Sequence, residues 1–71
     1  MTFGDAMNVA LGGGTVRNVN WNGANMSVKA QIPDSWSKMT APYMYMEDAQ
    51  GNLVPWQPSQ QDMFSNNWIV V

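Results

Sequence analysis

The sequence predicts an α+β fold: one N-terminal amphipathic helix packed on a small antiparallel β-sheet, with a short helical turn before the last strand. Three observations predict it. Phe3, Ala6, Met7, Ala10 and Leu11 recur at helical spacing near the N-terminus. Met26, Val28, Ala30 and Ile32 alternate with Ser27, Lys29 and Gln31, the two-residue period of a strand with one buried face. The stretch VPWQPSQQDMFSNNWIVV, from Val54 to Val71, sets a proline-bracketed polar knuckle with two tryptophans between strand-like runs. No repeat or linker breaks the 71 residues, so one domain spans 1–71.

Thr2 stands as N-cap of the first helix, with Asp5 three residues later, and Gly12-Gly13-Gly14 ends it. That triple glycine follows a helix instead of opening one, so it reads as a C-cap and turn and not as a phosphate loop. Thr15 to Trp21 mixes β-branched and polar residues and reads as a strand. Asn22-Gly23 then predicts a tight hairpin into a partner strand over Asn25 to Ile32. Trp21, beside that turn and flanked by Asn20, Asn22 and Asn25, is expected to stand exposed as a stacking surface among amide donors. Pro33 to Pro42 has a proline at each end and no period, which makes it a loop, with Trp36 expected over a neighbouring subunit. Tyr43 to Glu47 is a third strand with methionines on one face and tyrosines on the other; strand packing explains Met44 and Met46 better than soft-metal ligation. Asp48 to Asn52 turns the chain into Leu53-Val54, and Asn67 to Val71 supplies the last strand.

Within the knuckle, Pro55 and Pro58 fix φ at about −65° and remove two backbone donors, which keeps Trp56 at a sheet edge or in a loop. Ser59 reads as the N-cap of a short helical turn, closed by Asp62 at the third position. Trp56 is then either a core aromatic beside a plain capped turn, or a stacking platform at a helix end whose free N–H groups favour an anion. The residues by themselves leave both open.

A core of this size supplies only about 3–5 kcal/mol and usually needs a staple. The chain has no Cys for disulfides and neither Cys nor His for a structural zinc, which leaves oligomerisation. Charged residues make up 11% of the sequence, against about 25% in an ordinary domain, while four Trp, seven Met, two Phe and two Tyr offer more apolar surface than so small a body can hide. A second subunit or a ligand is expected to cover part of it. With a formal charge of −2 and with Arg17, Lys29 and Lys38 scattered, neither DNA nor RNA is an expected partner. No apolar run approaches the ~18 residues of a membrane span and no basic residue marks a signal peptide, which predicts a soluble cytoplasmic protein.

Without His or Cys the familiar triads, thiol nucleophiles and zinc hydrolase centres are out of reach. A carboxylate pair among Glu47, Asp48 and Asp62, or Ser35 or Ser37 with Lys38, is the remaining route to catalysis; turn and capping roles account for these residues better. No catalytic residue, metal site or cofactor is expected.

TFGDAMNVAL at the N-terminus, Trp21-Asn22-Gly23 followed by Met26, and VPWQPSQQDM with Trp68 five residues after Met63 resemble the second family of Thoeris anti-defense proteins. These are small phage proteins with the patterns F-G-E-A-[IL], W-N-G-x-x-M and V-P-W-x-x-S-Q-x-D-M-x-x-x-D-W. The resemblance covers nearly the whole chain apart from Pro33 to Pro42. It implies a sponge that binds cyclic ADP-ribose-type signals, notably glyco-cyclic ADP-ribose, and holds them from the Thoeris effector without cleaving them. It further implies a homo-oligomer, typically a tetramer, with pockets between subunits, acting in the cytoplasm of the infected bacterial host. For some members the implied ligands extend to cyclic oligonucleotides of CBASS.

Carried onto this chain, the resemblance makes Trp21 and Trp56 the aromatic clamps on adenine or ribose. Asn22, Gly23, Ser59, Gln60, Gln61 and Asp62 become the polar contacts, and Phe3 lines the pocket. Gly12-Gly13-Gly14 replaces the usual Lys-x-Gly of the first turn, Asn67 stands where Asp commonly precedes Trp68, and Gln61 where Thr is frequent. That thins the positive charge available to a diphosphate and leaves Arg17 as the side chain to hold it. Two further readings are a hydrolase of the same nucleotide and a small phage structural or protein-interaction module.

Overall fold

The computed structural model describes residues 1–23 and 25–71. Helix α1 (Phe3–Leu11) lies on one face of a five-stranded sheet formed by β1 (Val16–Asn18), β2 (Ser27–Gln31), β3 (Tyr43–Glu47), β4 (Leu53–Pro55) and β5 (Trp68–Val70). All neighbours are antiparallel, in the order β4-β3-β2-β1-β5. The first four strands form a meander; the short helix α2 (Gln60–Phe64) then carries the chain back across the molecule, so the last strand pairs with the first. The fold is α+β, as the sequence predicts.

Each element starts and stops on local chemistry. Thr2 Oγ1 accepts the Asp5 N–H at 3.1 Å, capping α1, and Gly13 takes a left-handed φ of 99° just past its end. Ala6 and Ala10 are fully buried, and their small side chains let α1 approach the sheet closely. Leu11, the last residue of the expected stripe, is instead 53% exposed where the helix runs out. Beneath the helix, Val28 pairs with Val16 on one side and with Met46 on the other, a buried row across three strands. Met44 and Met46 face this core and the tyrosines of β3 face away, as their alternation predicts. The turn after β3 is built on Asp48, whose Oδ1 accepts from the Gln50 and Asn52 N–H groups at 3.0 and 2.8 Å, with Gly51 at φ 86°.

The first two strands pair antiparallel as predicted, but not through the predicted tight turn. The first strand spans only Val16–Asn18, its partner only Ser27–Gln31, and residues 19–26 join them in place of a tight Asn22-Gly23 turn. Two causes are visible. Asn18 Oδ1 accepts from the Asn20 N–H at 3.1 Å, an Asx turn that bends the backbone out of the ladder. Among the described residues, positive φ occurs only at Gly13 and Gly51, so Gly23 lacks the conformation a two-residue turn of this type needs. What Gly23 supplies is space: a Cβ there would lie 2.7 Å from Met26 Sδ.

Pro33 to Pro42 contains no helix or strand. Asp34 Oδ1 accepts from the Trp36 N–H at 2.9 Å and from the Ser37 hydroxyl at 3.1 Å, fixing a turn that presents Trp36 at 92% exposure. The Trp36 N–H first, then the Ser37 hydroxyl, hold the Asp34 carboxyl below its usual range. On the sheet face turned away from α1, Arg17, Lys29, Tyr45 and Glu47 project with no described helix over them. Among the described residues no helix is long and apolar enough to cross a membrane.

Candidate functional site

Trp68 follows directly on the polar segment after α2 and is drawn into the sheet opposite Asn18, where both side chains turn toward α1. It is fully buried, and three rings close round it. Trp21 and Trp56 meet it edge to face, at 5.3 Å and 80° and at 6.0 Å and 78°, and Phe3 of α1 lies tilted against it at 5.8 Å and 60°. Trp56 also touches Trp21 at 6.2 Å and Phe3 at 6.5 Å. Edge-to-face pairs place the positive ring edge on the negative ring face, worth about 0.5–1.5 kcal/mol each beyond the area buried.

One carboxylate ties this cluster to α2. Ser59 caps the helix by accepting the Asp62 N–H at 3.1 Å, and Asp62 Oδ2 accepts the Ser59 N–H in return at 3.1 Å, the capping box the sequence predicts. Asp62 Oδ1 accepts from Trp21 Nε1 at 2.8 Å and from Asn18 Nδ2 at 3.4 Å, and the Asp62 backbone carbonyl accepts from Trp68 Nε1 at 2.9 Å. Trp56 differs from its two neighbours. Among the described residues its indole N–H has no acceptor, and it is not one of the buried polar atoms.

The structure therefore brings together Phe3, Trp21, Trp56, Ser59 and Asp62 from three separated stretches of sequence. Trp21 is not the exposed platform its neighbours in sequence suggest; it is half-buried against Trp68 because its N–H reaches a buried carboxylate. Asn22, Gln60 and Gln61 are exposed, and Gly23 sits against Met26. Arg17 stands apart: its neighbours Val16 and Asn18 face α1, so its own side chain leaves from the opposite face, with Nη2 donating to the Trp21 carbonyl at 3.4 Å. There it borders a cleft of about 500 Å³ with Ser27, Glu47, Asp48 and Gln50. Two smaller clefts, of about 430 and 280 Å³, are lined from β2, β3 and β4, and Trp56 lines none of the three. Asn18 joins the site without being singled out in sequence, and Trp68, which read there only as part of the resemblance and the last strand, joins it as the buried centre. Asn18 had a signal, its two-residue spacing from Val16 in VRN, whereas nothing in the sequence marked Trp68 as the ring the others pack on.

Among the described residues no group of three or more carboxylates is placed to hold a metal ion. A family model for the Thoeris anti-defense 2-like domain, Tad2-like, matches residues 1–71, the whole chain. The chain belongs to the Thoeris anti-defense 2-like family. None of the curated proteins compared with it matches. Membership gives this Thoeris anti-defense 2-like domain an anti-defense role. The aromatic cluster, capped by α2 and open at Trp56, is the part of the domain where Trp56, Ser59, Asp62 and Trp68 converge.

Proposed function

We propose that the protein exerts its anti-defense role as a sponge, binding a cyclic ADP-ribose-type signal, with glyco-cyclic ADP-ribose the favoured ligand, and holding it uncleaved. The observation that carries the reading is Trp56: a half-buried ring whose indole N–H has no acceptor among the described residues, next to exposed Ser59, Gln60 and Gln61. A flat ring with an open donor and a fringe of hydroxyl and amide groups suits adenine and ribose. Trp21, Phe3, Asn22 and Gly23 complete the surface in this reading. Capture alone fits a chain that holds neither His nor Cys to act as base or nucleophile.

The same reading calls for more than one subunit. Trp56 lies on the α1 side of the sheet and Arg17 leaves from the other, so a ligand that stacks on the first and pairs its phosphate with the second spans two copies. A homotetramer with pockets between subunits, working in the host cytoplasm, is the proposed form. The exposed Leu11, Ile32, Leu53 and Phe64 supply apolar surface for such contacts. Titration calorimetry with cyclic ADP-ribose isomers tests the site. Base–aromatic stacking is worth about 1–3 kcal/mol, so Trp56→Ala should bind roughly ten- to a hundred-fold more weakly than wild type. Equal affinities in the two proteins would move the site away from Trp56.

Trp36 favours a second reading, contact with another protein, because its 92% exposed ring is presented on a fixed turn. Loss of anti-defense activity in Trp36→Ala with ligand binding intact would support it.

A further inference from the structure

We infer that Asp62 is a positioning residue for nucleotide capture: its carboxylate locks the ring of Trp21 and the start of α2 into one unit and does not itself meet the ligand. The inference rests on the sponge reading above and concerns how that site is held in shape. Asp62 is only 9% exposed, and each of its polar groups already has a protein partner. Oδ1 takes the Trp21 indole N–H and the Asn18 amide, Oδ2 takes the Ser59 N–H, and the backbone N–H and carbonyl serve Ser59 Oγ and Trp68 Nε1.

An indole has one donor and no acceptor, so its single hydrogen bond sets the direction of the whole ring. At 2.8 Å to a carboxylate, that bond is a short, charge-assisted one. Trp21 is held at its other end as well, since its backbone carbonyl accepts from Arg17. The ring cannot rotate toward or away from Trp56 without giving up the shorter of the two hydrogen bonds to Oδ1 and leaving that oxygen only the 3.4 Å contact from Asn18. Ring orientation at Trp21 and helix start at Ser59 are thereby fixed by one side chain, although the two residues lie far apart in sequence.

The geometry also explains why the group is an acid and not an amide. Two N–H groups, from Trp21 and Ser59, approach different oxygens of the same side chain. A carboxylate accepts both. An asparagine has one oxygen and one NH2, so it must turn a donor toward one of the two N–H groups and lose either the indole bond or the cap.

The test combines a ligand-free and a ligand-bound measurement on the full chain. In wild-type protein, hydrogen exchange at the indole N–H groups, followed by nuclear magnetic resonance, should be at least about tenfold slower at Trp21 than at Trp56, as expected of one intact, part-buried hydrogen bond to a carboxylate. This measurement needs no variant, so it stands even if Asp62→Asn folds poorly. In Asp62→Asn the Trp21 signal should shift and lose that protection. Binding of cyclic ADP-ribose is then compared for Trp21→Phe, Asp62→Asn and the double variant by calorimetry. If Asp62 acts through the Trp21 N–H, each single change weakens binding about tenfold and the double variant is no weaker than either. Losses that multiply to about a hundredfold would mean Asp62 meets the ligand independently and would overturn the inference, as would fast exchange at Trp21 in wild type. Wild-type affinity in Trp21→Phe would instead sink the clamp reading of Trp21, and with it the role of Asp62 in capture, while the exchange data still report whether the lock exists.

Discussion

Trp68→Ala should unfold the protein, and the size of the effect follows from what surrounds the ring. Trp68 is 0% exposed, so truncation removes about 200 Å² of buried surface, worth about 5 kcal/mol gross at about 25 cal/mol/Å². Aromatic-to-alanine changes in protein cores cost about 3–5 kcal/mol once relaxation is included. Losing the indole N–H also removes one of two hydrogen bonds to the Asp62 carbonyl, which keeps the Ser65 N–H at 3.4 Å. The truncation cost matches the roughly 3–5 kcal/mol a core of this size supplies. Trp56→Ala is the control: its ring is half-exposed and its N–H has no acceptor among the described residues, so about half the area term, roughly 2 kcal/mol, is expected. Urea unfolding followed by far-ultraviolet circular dichroism, at one fixed protein concentration, separates the two. A Trp68→Ala protein that folds with a urea midpoint no lower than that of Trp56→Ala would refute Trp68 as the centre of the core.

Ser59→Ala removes the helix cap and should lower stability by about 1 kcal/mol, read from the same urea midpoints; no change would mean the capping box is dispensable. Gly51→Ala forces a side chain into φ 86° with nothing in contact to relieve it, and should cost about 1–2 kcal/mol, whereas Gly12→Ala, at φ −82°, should be near neutral. Because Asp34 is held below its ordinary value of 3.8, its turn gains stability that is fully present above that pH and is lost as pH falls through the lower folded value. A carboxyl chemical-shift titration of Asp34 with its midpoint at or above 3.8 would contradict this. Sedimentation at micromolar concentration should show an assembly larger than one chain, and a stable monomer would remove the between-subunit pocket.

The sequence made legible those features that depend on neighbours a few residues apart. Thr2 with Asp5, Ser59 with Asp62, Asp48 to Asn52, and the Met and Tyr faces of β3 all follow from local hydrogen bonding or a two-residue period, and the structure bears them out. The first two strands pair antiparallel as predicted, but the tight turn between them failed for a local reason: Asn18 had two options, to continue the ladder or to bend the chain through Asn20, and the Asx turn won. Contacts between distant residues carried no such signal. Trp21 looked exposed because nothing near it in sequence could cover it; the cover comes from Trp68 and Asp62, more than forty residues on. The same gap hid the burial of Asp62 and the separation of Arg17 from Trp56, both of which depend on which sheet face each residue leaves from.

The most direct test of the account is the fate of the captured nucleotide. Stoichiometric protein is incubated with glyco-cyclic ADP-ribose, heated to denature it, and the supernatant is resolved by chromatography. The account predicts that the cyclic nucleotide disappears from solution before heating and returns intact and in full afterwards. Steady conversion to linear ADP-ribose, beyond one turnover per site, would contradict it and make the protein an enzyme.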